Sequence, residues 1–337
     1  MDSLASKSIV FQGMSNGKKS IDGIPAVLSS LPIMMEESYL TSCYGGNKLG
    51  SIASDLAKHG YATAFFHGGY NGTMNFDNYT KKIGFEYYYG KNEYNNDADY
   101  DGNWGIYDEP FLQYVVKQMD TISKPFVSAL FTLSSHHPYS IPEQHIGRFP
   151  KGSMIVHETV GYTDYALKRF FEQAAKTEWY ENTLFVITAD HSALTSQKEF
   201  KTQLGLFKIP MIVFHPGLKQ GVISDRIMQQ IDVYPTVADL IHLEDDIFCF
   251  GHSAFSSEHD FYIYYTNGEY LLLSDGYLSK YKDGYPIELY DTKKDEGLKQ
   301  DIAGQDKERA KKHQRLTEAI IQQYNGNIIS NSVQSLR

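Results

Sequence analysis

The run Leu184-Phe185-Val186-Ile187-Thr188-Ala189-Asp190-His191 constrains this chain more than any other segment. A short, unbroken apolar and β-branched run reads as a strand covered on both faces, the pattern of a parallel sheet sandwiched by helices. In open α/β sheets, ligands sit outside the carboxyl ends of the strands. Asp190 and His191 stand there, an oxygen and a nitrogen donor side by side, and form a candidate metal pair. An isolated Asp-His dipeptide more often caps a turn beside a surface imidazole. The strand ahead of it and the residues described below tip the balance towards a site.

The rest of the chain alternates between strand and helix patterns, which implies a mostly parallel central sheet flanked by helices. Ile52, Leu56 and Ala57 predict a helix over 48–60, stopped by Gly60. Strands are expected over 61–66, 125–133 and 209–214, and helices over 106–119, 156–176 and 234–243. In the 156–176 helix, Val160, Thr163, Leu167, Phe170 and Ala174 share one face. Beyond Phe255 the pattern changes to alternation broken by Thr266-Asn267-Gly268, Ser274-Asp275-Gly276 and Lys282-Asp283-Gly284, which predicts a small antiparallel meander over 261–290. A closing helix over 306–324 and a polar, loosely held tail follow. The expected division is a domain over 1–255, an antiparallel subdomain with its helix over 256–325, and a tail over 326–337.

Composition narrows the function. At 337 residues and 42% hydrophobic, the chain can bury a large core. A net charge of −10 argues against nucleic acid and against electrostatic docking on an anionic bilayer. Cys43 and Cys249 make neither a disulfide framework nor a CxxC knuckle. No run has the length of a membrane span, and no apolar segment of a signal peptide follows Met1.

Three apolar strands end in histidine: His67, His136 and His191. Singly, each is more often a structural or surface histidine. Together, on strands that a parallel sheet aligns at one edge, they and Asp190 form a candidate cluster. A hydroxyl joins the list from Asn16-Gly17-Lys18-Lys19-Ser20, a glycine-bearing turn into a helix, where amides and the helix dipole favour an anion. Local sequence alone reads Ser20 as an N-cap. A hydroxyl nucleophile needs activation, which metal coordination can supply.

Taken in order, the segments Asn16-Gly17-Lys18-Lys19-Ser20-Ile21-Asp22-Gly23-Ile24-Pro25-Ala26, Phe65-Phe66-His67-Gly68-Gly69-Tyr70, Ser135-His136-His137-Pro138-Tyr139, Thr188-Ala189-Asp190-His191, Gln230-Ile231-Asp232-Val233-Tyr234-Pro235-Thr236 and Glu288-Leu289-Tyr290-Asp291 resemble the sulfatase-like domain of the lipoteichoic acid synthase family. That family belongs to the alkaline phosphatase superfamily. The resemblance covers nearly the whole chain. It implies that Ser20 matches the family's nucleophilic threonine, a metal ligand that takes up the phosphoglycerol unit, and that Asp190 and His191 match two further ligands. It implies a divalent metal, most often Mn²⁺, with Mg²⁺ and Zn²⁺ as alternatives. His136 matches a histidine beside the transferred group. His67, Asn71, Met74 and Phe76 fall in the substrate-lining region. The segment from Asp232 matches a structural strand-to-helix element, and 288–291 the end of the sheet region.

The chain also departs from the family. The resemblance implies an earlier strand ending in a glutamate ligand, several tens of residues before the nucleophile. Only nineteen residues precede Ser20, and Asp2-Ser3-Leu4-Ala5 matches the helix after that strand. A chain truncated in this way is expected to bind metal weakly and to turn over poorly or not at all. Met74 and Phe76 replace the family's phosphoglycerol-binding Trp and Arg.

Three functions remain. The first is metal-dependent transfer of a phosphoglycerol- or phosphoethanolamine-type headgroup from a phospholipid donor to a cell-envelope glycan acceptor through phospho-Ser20. The second is a sulfuric or phosphoric ester hydrolase. A conventional sulfatase is disfavoured, because Ile21, Asp22, Gly23 and Ile24 follow Ser20 without the Pro and Arg of Cys/Ser-x-Pro-x-Arg. The third is a degenerate ectodomain that binds a glycan or a protein partner. The resemblance further implies an extracytoplasmic domain whose parent is membrane-anchored by a region ahead of this chain.

Overall fold

A computed structural model describes residues 1–218, 220–256 and 261–333. Helix α1 (Asp2–Ala5) leads into strand β1 (Ile9–Met14), followed by α2 (Ser20–Ser29), α3 (Ile52–Lys58), β2 (Ala62–His67), α4 (Phe76–Lys82), β3 (Tyr87–Tyr89) and α5 (Lys91–Tyr94). Next come α6 (Asp108–Thr121), β4 (Phe126–Phe131), α7 (Val156–Ala174), β5 (Phe185–Thr188), β6 (Lys208–Phe214), β7 (Val222–Gln229) and α8 (Val233–Leu240). The chain closes with β8 (Phe261–Thr266), β9 (Glu269–Ser274), β10 (Tyr277–Tyr281), β11 (Glu288–Asp291) and α9 (Lys307–Ser330).

The central layer is α/β, as expected, but it is hydrogen-bonded as two sheets. One has the order β3-β2-β4 and is fully parallel, with Ala62 opposite Phe126 and His67 opposite Phe131. The other has the order β5-β6-β1-β7, in which β6 runs antiparallel to both β5 and β1. An apolar run reveals a buried strand but not its direction, so the strand over 209–214 was legible and the antiparallel sense of β6 was not. β1 and β7, which pair in parallel, were also not expected.

The alternating region forms the antiparallel sheet β8-β9-β10-β11, with 288–291 as its last strand. Its first two hairpins turn at Asn267-Gly268 and Asp275-Gly276, where both residues of each pair have positive φ. This is the backbone that such dipeptides favour. Ile263 and Leu272 of this sheet share a core with Ile24, Leu28 and Phe65. The expected loose tail is corrected in part. α9 runs on to Ser330, Ile328 and Val333 are buried, and Val333 bridges to Leu49. Residues 334–337 lie outside the described residues.

The core face expected for α7 needs a second correction. Val156, Thr159, Tyr162, Ala166, Phe170 and Ala174 are its buried residues, whereas Val160 is 52% exposed. Val160, Thr163 and Leu167 instead face a slot of about 1730 Å³ between β4 and β5. Every residue of β4 and of β5 is only half-buried along this slot. Trp179 closes its floor, packing edge-on against Phe126 at the start of β4 and tilted against Phe185 at the start of β5. Both strands therefore set out from the same end and run the same way, towards His136 and Asp190.

Candidate active site

Ser20, His67, His136, Asp190 and His191 line the same cavity, at the end of the slot away from Trp179. The three histidine-terminated strands are thus brought together as expected, although β5 belongs to a different hydrogen-bonded sheet from β2 and β4.

Ser20 is the first residue of α2, not its N-cap. Lys19 holds the cap position without a side-chain hydrogen bond. The Ser20 hydroxyl instead donates to Asp190 Oδ2 at 2.5 Å. His191 Nε2 lies 3.3 Å from that same carboxylate oxygen. His191 Nδ1 is 2.8 Å from the Ser192 carbonyl, which can only accept, so Nδ1 donates there and Nε2 is the nitrogen turned towards Asp190. Metal-ligating imidazoles are held in this way. Two oxygens and one nitrogen suit a divalent cation. Among the described residues, no cluster of three or more His, Cys, Asp or Glu side chains is poised to hold one.

The close approach of α2 to β5 depends on Gly23, where a Cβ would come within 2.6 Å of the Asp190 carbonyl. The same carbonyl accepts from Gln230 Nε2 at 2.7 Å, and Gln230 Oε1 accepts from the Asn16 amide at 2.9 Å. Asn16 Nδ2 in turn donates to Gln229. This buried amide network fixes the loop beneath Asp190, and its members escaped sequence reasoning because their partners lie some two hundred residues apart. Asp22, two residues on from Ser20, was also missed. It is buried, accepts from the Ser38 hydroxyl at 2.5 Å, and has its pKa raised by desolvation, against the pull of Lys19 and His191.

His136 Nδ1 is 2.9 Å from the His137 carbonyl, which again leaves Nε2 as the free nitrogen. Trp104 lies against its ring with centroids 4.2 Å apart and donates to the His137 carbonyl at 2.6 Å. Asp108, fully buried at the start of α6, anchors the loop from β4. Its carboxylate accepts from the Leu133 and Ser134 amides at 2.9 and 3.0 Å and from the Thr163 hydroxyl at 2.8 Å. Burial pushes its pKa up, and the four hydrogen bonds from Leu133, Ser134 and Thr163 act against that. Asp108→Ala would strand these buried donors at about 1–3 kcal/mol each. A loss of about 3 kcal/mol or more in denaturant unfolding is expected, with Asp108→Asn losing less. An Ala variant as stable as the parent would refute the anchoring role.

His67 is buried at the end of β2, stacked on Phe131, with its Nδ1 3.3 Å from the Tyr88 hydroxyl. Burial lowers its pKa from 6.5 to about 4. His313, buried under α9, is lowered to about 4 as well. Because the folded values lie below the unfolded one, the unfolded chain takes up these protons first. The associated stability is complete above pH 6.5 and is lost as pH falls towards 4, by roughly 3 kcal/mol for His67 alone. Urea unfolding between about pH 7 and about pH 4.5 is expected to show this loss, and His67→Gln to flatten part of it. A profile identical in both proteins would overturn the assignment.

The remaining substrate-lining expectations divide. Met74 is 37% exposed at the cavity and has positive φ. Phe76 is fully buried, edge-on to His67, and backs the cleft. Asn71 has its amide held by the Glu93 carboxylate, at 3.1 Å to Oε2, and is not among the residues that line the cavity.

The sulfatase family model matches residues 1–243. The chain is 28% identical to lipoteichoic acid synthase 1 of Bacillus subtilis over 76% of its own length and 42% of that protein's. It is 26% identical to lipoteichoic acid synthase of Staphylococcus aureus over 68% of its length and 38% of the relative's. It therefore spans less than half of these curated relatives. Among solved structures, a Vibrio parahaemolyticus protein of the alkaline phosphatase superfamily superposes with a TM-score of 0.82 at 25% identity, over 99% of this chain and 82% of the other. The lipoteichoic acid synthase LtaP of Listeria monocytogenes superposes with a TM-score of 0.81 at 19% identity, over 97% and 85%. With the serine, aspartate and histidine met at the strand ends, and a family model that takes in both Ser20 and the Asp190-His191 pair, the chain belongs to the sulfatase family, as a sulfatase-like domain of the alkaline phosphatase superfamily.

Proposed function

We propose that this chain is the phosphotransfer domain of an enzyme that moves a phosphoglycerol- or phosphoethanolamine-type headgroup from a phospholipid to a cell-envelope glycan. The observation that carries this reading is the Ser20 hydroxyl at the first turn of α2, hydrogen-bonded to Asp190 beside His191. Ser20, Asp190 and His191 would hold a divalent cation, Mn²⁺ in the first instance and Mg²⁺ or Zn²⁺ otherwise. When bound, such a cation lowers the pKa of a coordinated hydroxyl and neutralises a phosphoryl oxygen.

Ser20 Oγ passes its proton to Asp190 Oδ2 and attacks the headgroup phosphorus, and the bond from phosphorus to the diacylglycerol oxygen breaks. Asp190 returns the proton to Ser20 Oγ when the acceptor displaces it. Protonated His136 gives its Nε2 proton to the departing oxygen. Neutral His136 then takes the proton of the acceptor hydroxyl, whose oxygen displaces Ser20 Oγ from phosphorus. Asp108 and Trp104 hold the His136 loop in place, and His67, kept neutral by burial, presents an uncharged wall to the headgroup. The names of the synthase relatives support transfer over hydrolysis, and Asp22 and Ile24 in place of the Pro and Arg of Cys/Ser-x-Pro-x-Arg argue against a conventional sulfatase. Ester hydrolysis is the second reading, since water can enter where the acceptor would. Among the described residues, no helix is long and apolar enough to cross a membrane. We place the domain on the outer face of the cytoplasmic membrane, anchored through another part of its parent protein.

The test is incubation with Mn²⁺ and fluorescent phosphatidylglycerol or phosphatidylethanolamine, with and without a glycan acceptor. Residues 1–337 would be compared with a form extended ahead of Met1 by a β-strand. Diacylglycerol formed only with acceptor supports transfer, and diacylglycerol formed equally without it supports the hydrolase. Absence of both product and phospho-Ser20 in either form would sink both readings.

A further inference from the structure

Headgroup discrimination falls to the side chains that line the cavity between His67 and His136. The bridge between Gly69 and Gly105, with the Ile106 amide donating to the Gly68 carbonyl at 3.0 Å, holds the Trp104 loop against the end of β2. Gly105 permits this approach, since a Cβ there would lie 2.5 Å from the Gly68 carbonyl oxygen. Trp104, Leu133 and His136 therefore line the cavity beside His67, Met74 and Phe76. Met74 reaches it from a turn in which Met74 and Asn75 both have positive φ. That conformation is uncommon for methionine and persists where the surroundings impose it, as at ligand clamps.

A bound headgroup must satisfy its polar atoms against this wall. Glycerol brings hydroxyls that donate and accept, and a primary ammonium brings three N–H donors. The Trp104 N–H is committed to the His137 carbonyl, and the imidazoles hold Tyr88 and that same carbonyl through Nδ1. Thr73 and Ser135 add one hydroxyl each, and that of Ser135 is bonded to Thr163 at 3.0 Å. Among the described residues, the carboxylates lining the cavity are Glu178 and Asp190. Glu178 adjoins Trp179 at the far end, and Asp190 is committed to Ser20 and His191. Burial keeps His67 uncharged, so it does not repel a cation. A quaternary ammonium carries charge without N–H donors and is recognised by aromatic faces, that of tryptophan best. A polarisable, flexible thioether adapts to its methyl groups.

We propose that Trp104 and Met74 select the N-methylated form of the phosphoethanolamine-type headgroup, a phosphocholine-type ester with a quaternary ammonium. This rests on the phosphotransfer reading of the same site and names the group transferred. Calorimetry with Mn²⁺ and phosphocholine, phosphoethanolamine or glycerol 3-phosphate tests it. Phosphocholine is expected to bind at least about tenfold tighter than glycerol 3-phosphate and about threefold tighter than phosphoethanolamine. Trp104→Leu should erase that order. Trp104→Phe, which keeps a ring but loses the bond to the His137 carbonyl, should retain it. Equal binding of the three esters, binding of none, or an order unchanged in Trp104→Leu would overturn the assignment. Loss of the order in Trp104→Phe as well would show that Trp104 acts only by holding the His136 loop, and would overturn it too. Phospho-Ser20 formation from fluorescent phospholipid decides the phosphotransfer reading separately. Diacylglycerol released from fluorescent phosphatidylcholine would assign the ester to a lipid, and glycerol released from glycerophosphocholine to a soluble diester. Either result upholds the choice of headgroup.

Discussion

Ser20→Ala is expected to eliminate phosphoryl-enzyme formation and to reduce headgroup release by about a thousandfold or more, measured with Mn²⁺ and fluorescent phosphatidylglycerol. The substitution removes one oxygen. The residue is 6% exposed and makes its side-chain hydrogen bond to Asp190, whose Oδ2 keeps His191 Nε2 at 3.3 Å. The fold should therefore change by no more than about 1 kcal/mol. The chemistry has no comparable substitute, because a covalent route needs an oxygen at the start of α2 facing Asp190. Ser20→Thr retains that oxygen and is expected to stay within about tenfold of the parent. Diacylglycerol release and the mass of the peptide containing residue 20 give the two readouts. An alanine variant that turns over like the parent, or a phosphoryl group found on a different residue, would remove Ser20 from the mechanism.

Ser20 also shows what the sequence can and cannot convey. By local pattern it is an N-cap. Its real partner is Asp190, 170 residues away, and no local rule pairs them. The Asp190-His191 pair was legible because a buried strand followed by two metal-type donors is itself a local pattern. The same is true of the hairpins at Asn267-Gly268 and Asp275-Gly276, where a dipeptide specifies the backbone. Long-range amide contacts, such as Gln230 beneath the Asp190 carbonyl and Asn16 behind it, leave no periodic trace. The face of α7 failed for a different reason. Val160, Thr163 and Leu167 do form an apolar stripe, but it faces the slot beside β4 and β5, while Tyr162 and Ala166 pack into the core.

Asp190→Ala is expected to have the other large effect, and it can be read without turnover. Among the described residues, the donor set for a cation is Ser20 Oγ, Asp190 and His191 Nε2, and Asp190 is its only carboxylate. Losing an outer partner of a metal ligand typically costs 10–100-fold in affinity. Losing the sole anionic ligand of an incomplete set should cost at least about a hundredfold, which for an already weak site means no measurable Mn²⁺ binding. Water-proton relaxation or calorimetry with Mn²⁺ alone gives the answer. Asp190→Asn separates charge from shape. It keeps one oxygen for the Ser20 hydroxyl but carries no charge, so it should retain stability yet lose most of the affinity. The main-chain carbonyl of residue 190 still accepts from Gln230 in both variants, so the loop should hold. Unchanged Mn²⁺ affinity in Asp190→Ala would show that the cation lies elsewhere, and would leave the Ser20 hydroxyl without the activation proposed for it.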